Sequence, residues 1–219
     1  IVTLSIGALA DDAFYREVCE TAKENGTRIY IASGATGGFD VLRTAALMGK
    51  ATARFYNEKG PDALTGTPVY EEALQKEQKV VFTGNAVEAI RLFPTKVNVT
   101  VAASRASVGP EAMQVTIQST PGFKGDTQRV EIRNDQVHAV VDVYSATAEI
   151  AGWSVVNTLL NIVSRVVFGK IGQYLFARTD ERWAGAACRG LYASYMRMLQ
   201  KVSTSQGADG IAKTKVIAR

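Results

Sequence analysis

Cysteine and histidine are scarce in this sequence. Its 219 residues include two cysteines, Cys19 and Cys188, and one histidine, His138. Neither cysteine belongs to a CxxC pair, and no cluster has the spacing of metal ligands or of a Ser/Cys–His nucleophile. Disulfide scaffolds and zinc modules are therefore excluded as starting hypotheses. Both cysteines fall within amphipathic helical patterns, so we expect buried thiols in a reducing compartment and no disulfide.

Long apolar runs are also lacking. No stretch of 18 apolar residues and no charged-then-apolar leader occurs, which predicts neither a membrane span nor a signal peptide and favours a cytoplasmic protein. With 47% apolar residues the chain can bury a substantial core. Residues 1–168 carry 16 Lys and Arg against 18 Asp and Glu, whereas residues 169–219 carry 9 against 3. The body is thus not basic, which argues against nucleic acid as a partner.

Glycine is concentrated in one stretch, Ser33–Asp40, which contains Gly34, Gly37 and Gly38. It follows the β-branched run 28–33 and precedes the helical pattern 39–47, so the sequence predicts a strand, a glycine turn and a helix. Such a turn allows close backbone approach, and a helix N-terminus offers free N–H groups to a carboxylate or phosphate. An ordinary tight turn remains the alternative.

The order of the predicted elements indicates two unlike pieces. Residues 1–33 have the β-α-β pattern that ends a Rossmann-type parallel sheet, and Ile1 falls inside a strand pattern, so we expect the chain to begin within that domain. Residues 34–150 predict an α+β domain whose sheet is mostly antiparallel. Its predicted strands are 51–56, 80–83, Val97–Ala103, Met113–Gln118, Arg129–Arg133 and Val137–Tyr144. A helix at 85–92, capped by Asn85, and a returning helix at 152–163 complete the body.

Five segments resemble the L-aspartate dehydrogenase family in order and spacing, over about residues 1–165. They are Ser5–Ala10, Ile29–Ala35, Gly37–Asp40, the turn at Lys59, and Arg91–Val99. The resemblance implies an NAD- or NADP-dependent enzyme that oxidises L-aspartate to iminoaspartate, with a homodimer or higher homo-oligomer as the assembly. It also implies a preceding Rossmann segment with a GxGxxG loop, a motif that these 219 residues do not contain.

The resemblance assigns roles position by position. It implies cofactor contacts at Ala35 and Asn98, with Gly7 and Ala8 beside them, and substrate contacts at Ser33, Gly34, Gly37 and Lys96. Lys96 stands where the family has asparagine. The family's catalytic histidine, in an Asn-x-His-Glu run, corresponds to Gln128 in Asp126-Thr-Gln-Arg129. An amide does not titrate, and losing a general acid or base removes a factor of about 10² to 10⁴ in rate.

Three further candidate residues also have a purely structural interpretation. Lys59 is a candidate for substrate charge or proton transfer, although a lysine at a turn can simply be solvated. Asp40 suits the first turn of a helix without any ligand. His138 alternates with valines and is expected to be a half-exposed strand residue rather than a proton carrier.

The resulting function is an amino-acid dehydrogenase that takes an amino or keto acid. One rival is a dehydrogenase for another substrate, in which Gln128 binds rather than transfers protons. The other is a catalytically silent binding or assembly protein that uses the basic tail 169–219. In that tail the spacing of Ala184, Cys188 and Leu191 predicts a helical packing seam after Thr179 or Asp180, for self-association or docking on the body.

Overall fold

A computed structural model describes residues 1–94 and 96–167. The strands are β1 Val2–Thr3, β2 Tyr30–Ile31, β3 Thr52–Lys59, β4 Lys79–Asn85, β5 Gln114–Ser119, β6 Asp126–Arg133 and β7 His138–Ser145. The helices are α1 Asp12–Glu24, α2 Phe39–Leu47, α3 Ala86–Leu92, α4 Asn98–Arg105 and α5 Glu149–Val163. Short 3-10 helices cover Gly7–Ala10, Pro61–Leu64 and Glu72–Gln75. The predicted helical tail lies outside the described residues.

Two sheets organise these elements. β1 and β2 form a parallel pair, and the larger sheet has the strand order β4-β5-β3-β6-β7. Within it β3 and β5 are parallel and the other neighbours antiparallel. This confirms the predicted α/β architecture with a parallel pair and a mostly antiparallel sheet. That the parallel pair ends a Rossmann domain, and where the domains divide, remain predictions.

The larger sheet has one covered face and one open face. Along β3, Ala53, Phe55, Asn57 and Lys59 are buried, while the residues between them are exposed or half-buried. The covered side carries the main core, with Leu42 of α2 and Ala89 of α3 packed over it. Alternation with a period of two produces this division because successive strand side chains point to opposite faces. We refer to the two sides as the inner and outer faces.

Local sequence signals explain two helix starts. The Asp11 side chain accepts a hydrogen bond from the Phe14 N–H at 2.8 Å and caps α1. Asn85 and Glu88 form a reciprocal capping box at α3, as the asparagine before that helix predicts. Both caps satisfy backbone donors that a helix N-terminus otherwise leaves unpaired.

Helix α1 corrects the prediction of a buried thiol at Cys19, whereas Cys188 lies outside the described residues. None of its residues is buried, and Cys19 is an exposed free thiol. Tyr15 and Val18 pack against the small cluster around Ile6, rather than Phe14, which is 42% exposed. Arg105 of α4 anchors this region by donating to the Leu9 carbonyl at 2.6 Å. Helix α1 therefore contacts the rest of the protein along one shallow stripe of side chains, and Cys19 lies on its solvent-exposed side.

The predicted strand Val97–Ala103 is wrong, because this stretch forms α4. Its alternating valines indicate a strand, yet Val101, Ala102 and Ala103 are consecutive buried residues, which a helix enclosed by neighbours allows. Tertiary surroundings override the β-propensity of such a short segment. Strand β3 is also longer than predicted, so Lys59 is its last residue and not part of the turn. Within the described residues no helix is long and apolar enough to cross a bilayer.

Candidate active site

The glycine stretch forms the predicted turn between β2 and α2. Gly34 has a φ of 64° and Gly38 has a φ of 65°, both in the left-handed region that favours glycine. A Cβ atom on Gly38 would lie 2.4 Å from Val141 Cγ2 of β7. The turn therefore packs directly on the inner face of the sheet, and this contact requires glycine at position 38.

Helix α5 holds the turn from the other side. The Gly34 N–H donates to Ser154 Oγ at 3.0 Å, and this hydroxyl donates to the Ala151 carbonyl at 2.7 Å. One backbone donor that the sequence suggested for an anion is therefore already used within the protein. The Ser154 hydroxyl is thus satisfied within its own helix and also positions the turn.

Asn98, at the start of α4, is fixed by the backbone that follows β1. Its Oδ1 accepts a hydrogen bond from the Gly7 N–H at 2.8 Å. A Cβ on Gly7 would approach Ile90 Cδ1 to 2.9 Å, so glycine permits this close contact. Because Oδ1 is engaged, the Asn98 amide NH2 is the group that remains available as a donor.

The ends of three adjacent strands carry the polar centre of the inner face. The sheet register places Lys59 beside Ser119 of β5 and beside Asp126 of β6. Lys59 Nζ donates to Asp126 Oδ1 in a salt bridge, with the two side chains 7% and 36% exposed. Asp126 is thus the more exposed member of the pair, and Lys59 is buried beneath it.

Gln128 lies one step further along β6. It is 5% exposed, and its side-chain amide has no hydrogen-bond partner among the described residues. Its strand neighbour Asn57 is satisfied, since Asn57 Nδ2 donates to the Thr127 carbonyl at 2.8 Å. Because Gln128 lines the cleft, its side-chain amide is available to hydrogen-bond a ligand.

Main-chain carbonyl oxygens hold the ammonium group of Lys96. Its Nζ donates to the Ala63 carbonyl and lies 3.5 Å from the Thr65 carbonyl, both next to the 3-10 helix Pro61–Leu64. An ammonium group has three donors, so one N–H stays free for a ligand after these two contacts.

These groups surround one cleft of about 210 Å³ between the parallel pair and the inner face of the larger sheet. The predicted site residues on its wall are Ser33, Gly34, Ala35, Lys59, Lys96, Asn98 and Gln128. Gly7 touches the site through Asn98, whereas Ala8 and Gly37 do not line the cleft. The structure brings most of the predicted residues together, and their individual roles remain predictions.

Asp126 is the cleft residue that sequence reasoning missed. A signal for it was present, because it belongs to the same run as Gln128 and lies on the same face two residues away. Recognising its contact with Lys59 needed the register between β3 and β6. Apolar residues, among them Ile6 and Val99, close the remaining wall.

His138 is remote from this cleft. It lies on the outer face of β7, half-exposed, with its Nε2 2.9 Å from Glu131 Oε1. This agrees with its expected placement as a half-exposed strand residue. Within residues 1–94 and 96–167, no group of three His, Cys, Asp or Glu side chains is arranged to hold a metal.

Together, the elements form an α/β protein with a polar cleft at the ends of strands β3 and β6. Residues 40–162 match the family described as Aspartate dehydrogenase, C-terminal. The L-aspartate dehydrogenase of Methanosarcina acetivorans is 30% identical over 181 residues, which are 77% of this chain and 67% of that protein. That of Pseudomonas aeruginosa is 31% identical over 133 residues, 59% of this chain and 50% of its own length.

A solved structure is similar as well. The crystal structure of aspartate dehydrogenase from Thermotoga maritima has a TM-score of 0.66 and 28% sequence identity, and the match covers 76% of this chain and 67% of that one. The chain therefore belongs to the aspartate dehydrogenase family. The resemblance identified from sequence segments is confirmed.

Proposed function

We propose that this protein is an NAD- or NADP-dependent dehydrogenase of aspartate or a related amino acid. One observation carries the proposal: in a chain of this family, the glycine turn, Asn98, two lysines and Gln128 converge on a single cleft. In the proposed reaction the substrate Cα–H bond breaks, and the nicotinamide cofactor, when bound, would accept the hydride. The nitrogen loses a proton as C=N forms, and water then releases ammonia and leaves a keto acid.

The cleft residues fit the nicotinamide end of such a cofactor. Ala35 presents a small side chain at the turn, and the orientation of Asn98 by Gly7 leaves an amide NH2 for a carboxamide oxygen. A cleft of about 210 Å³ accommodates a ring and a small acid rather than an entire dinucleotide. A bound cofactor would supply the hydride acceptor, and the residues of this chain would orient the cofactor and the substrate.

Proton transfer is where this site departs from its family's pattern. Gln128 occupies the position that the resemblance assigns to a histidine, and an amide can orient a substrate but cannot exchange a proton near neutral pH. Asp126 and Lys59 are ionisable groups that share the inner face and the cleft with it. We propose that Gln128 binds the substrate and that proton exchange involves water held at the Asp126 carboxylate.

The test follows NAD(P)H absorbance with the full 219-residue chain and a panel of amino and keto acids. We expect slow turnover that Gln128→Leu abolishes. Gln114→Leu is the matched control, because Gln114 is exposed on the outer face of β5. Gln128→His should raise turnover with aspartate by about 10²-fold if the imidazole restores acid–base catalysis.

Two outcomes count against the proposal. If neither the wild-type chain nor Gln128→His binds NAD(P) or oxidises any amino acid, the protein is a silent binding protein that retains the fold. If Gln114→Leu lowers turnover as much as Gln128→Leu does, the cleft is not the active site.

We further propose a cytoplasmic homo-oligomer, as the family relationship suggests. The free thiol of Cys19, which is exposed on α1, fits a reducing compartment. Light scattering of the purified chain tests the assembly, and a particle of monomer mass would contradict it.

A further inference from the structure

The charges of the cleft are partly cancelled before any ligand binds. Its charged side chains are Lys59, Lys96 and Asp126. Asp126 forms a salt bridge with Lys59, so that lysine's positive charge is offset by a carboxylate lying nearer to solvent. A ligand entering the cleft therefore meets Asp126 before the buried ammonium of Lys59. One cation, Lys96, remains without an acidic partner among the described residues.

A single unpaired cation matches a single carboxylate. Lys96 lines the cleft, and its ammonium is held by the carbonyls of Ala63 and Thr65 just outside the cleft lining, with one donor left over. A second carboxylate on the same small molecule would lie in the same cleft as Asp126. Like charges a few ångströms apart in a partly desolvated site repel strongly.

The cleft also offers neutral hydrogen-bonding groups, among them the Gln128 side chain. Gln128 is 5% exposed and lines the cleft, its side chain has no hydrogen-bond partner among the described residues, and it can donate through NH2 and accept through its carbonyl. Hydroxyl and carboxamide groups satisfy both halves of an amide. A carboxylate satisfies only the donor half, because it offers no proton in return.

We propose that the substrate carries one carboxylate and an uncharged hydrogen-bonding side chain, and that Asp126 is the residue that disfavours a second carboxylate. This inference rests on the proposed function, because it names the substrate class of the same cleft. Asparagine and aspartate are an isosteric pair that differs only in this respect. In the same way, succinamate and succinate are a matched pair of probes without an oxidisable amine.

The experiment ranks these ligands with the full chain. We expect kcat/KM for asparagine to exceed that for aspartate by about tenfold or more, since discrimination by charge and hydrogen bonding is commonly of that size or larger. Asp126→Asn should level or reverse the ratio of succinamate to succinate affinity measured by calorimetry, a readout independent of turnover, because the amide still accepts from Lys59 while the repulsion disappears. Asp142→Asn, on the outer face, should leave the ratio unchanged.

Calorimetric binding of succinamate and succinate to the wild-type chain answers the same question without turnover and without a variant that must fold. Tighter binding of succinamate supports the inference even if no amino acid is oxidised, in which case the proposed function alone fails. Equal or tighter binding of succinate overturns the inference. An unchanged succinamate-to-succinate affinity ratio in a folded Asp126→Asn variant overturns the role of Asp126.

Discussion

The two faces of the five-stranded sheet use charged residues in opposite ways. On the inner face Lys59 pairs with Asp126, and the lysine side chain is 7% exposed. On the outer face Arg129 pairs with Asp142 at 3.0 Å, and both side chains are 47% exposed. Both pairs involve β6, at residues only three apart. The two ion pairs have similar residue types, so it is their burial that distinguishes the pair in the cleft from the pair on the solvated surface.

Strand geometry explains this separation. Gln128 and Arg129 are consecutive, yet one points into the cleft and the other into solvent, because the side chains of a strand alternate between faces. A one-residue shift of β6 would exchange these two side chains. The inner pair can influence a small ligand strongly, whereas water and salt screen the outer pair.

The largest contrast between the faces is expected for apolar truncation. Phe55→Ala on the inner face should lower the free energy of unfolding by about 3–5 kcal/mol, because the ring is 1% exposed and its loss leaves a cavity. Val140→Ala on the outer face, where the side chain is 41% exposed, should cost about 0.5 kcal/mol or less. Urea unfolding of both variants measures the difference, and equal costs would refute the assignment of a single covered face.

The charge pairs give the next contrast. Asp126→Ala leaves the Lys59 ammonium buried without its partner and should cost about 3 kcal/mol. Asp142→Ala removes an exposed partner of Arg129 and should cost less than about 1 kcal/mol. Denaturant midpoints at low and high salt check this. A salt-sensitive loss confined to Asp142→Ala, with Asp126→Ala neutral, would contradict the difference in burial.

A glycine pair separates backbone strain from contact with the sheet. Gly26→Ala places a Cβ in open space at a φ of 58° and should cost about 1 kcal/mol through strain alone. Gly38→Ala has a similar φ but brings the Cβ against Val141 on the inner face, so it should cost about 1 kcal/mol more. Thermal unfolding compares the two. Equal costs would mean that the turn does not press on β7.

The smallest effect concerns titration on the outer face. Burial, followed by the charge and the hydrogen bond of Glu58, raises the pKa of Tyr56 above its usual value of 10.0. Because the folded protein favours the protonated phenol, the stabilising contribution is complete below pH 10.0 and is lost as the pH rises through the folded pKa. Glu58→Gln should lower the Tyr56 pKa only in part, since burial is the larger cause. The difference in ultraviolet titration between each protein and its Tyr56→Phe variant measures the shift, and an unchanged pKa would exclude Glu58 as a cause.

Several elements followed from local sequence with little help from packing. The glycine turn before α2, the Asn85 cap of α3 and the alternation of β7 all agree with the structure. Each depends on residues within one turn or one strand, such as a side-chain acceptor at a helix start. The stretch that forms α4 was misassigned because its valines satisfy a strand pattern, and only its enclosure by neighbouring elements favours the helix.

By itself, the sequence determined the family, the strand–turn–helix around Gly34 and most of the residues that line the cleft. Only the tertiary structure decided that Lys59 is bound by Asp126, that Lys96 is held by carbonyls and that Gln128 is left unpaired. The physical reason is distance along the chain: Asp126 lies 67 residues from Lys59, and register between strands brings them together. Local propensity specifies what a residue can do, and its partners determine which of its groups remain free for a substrate.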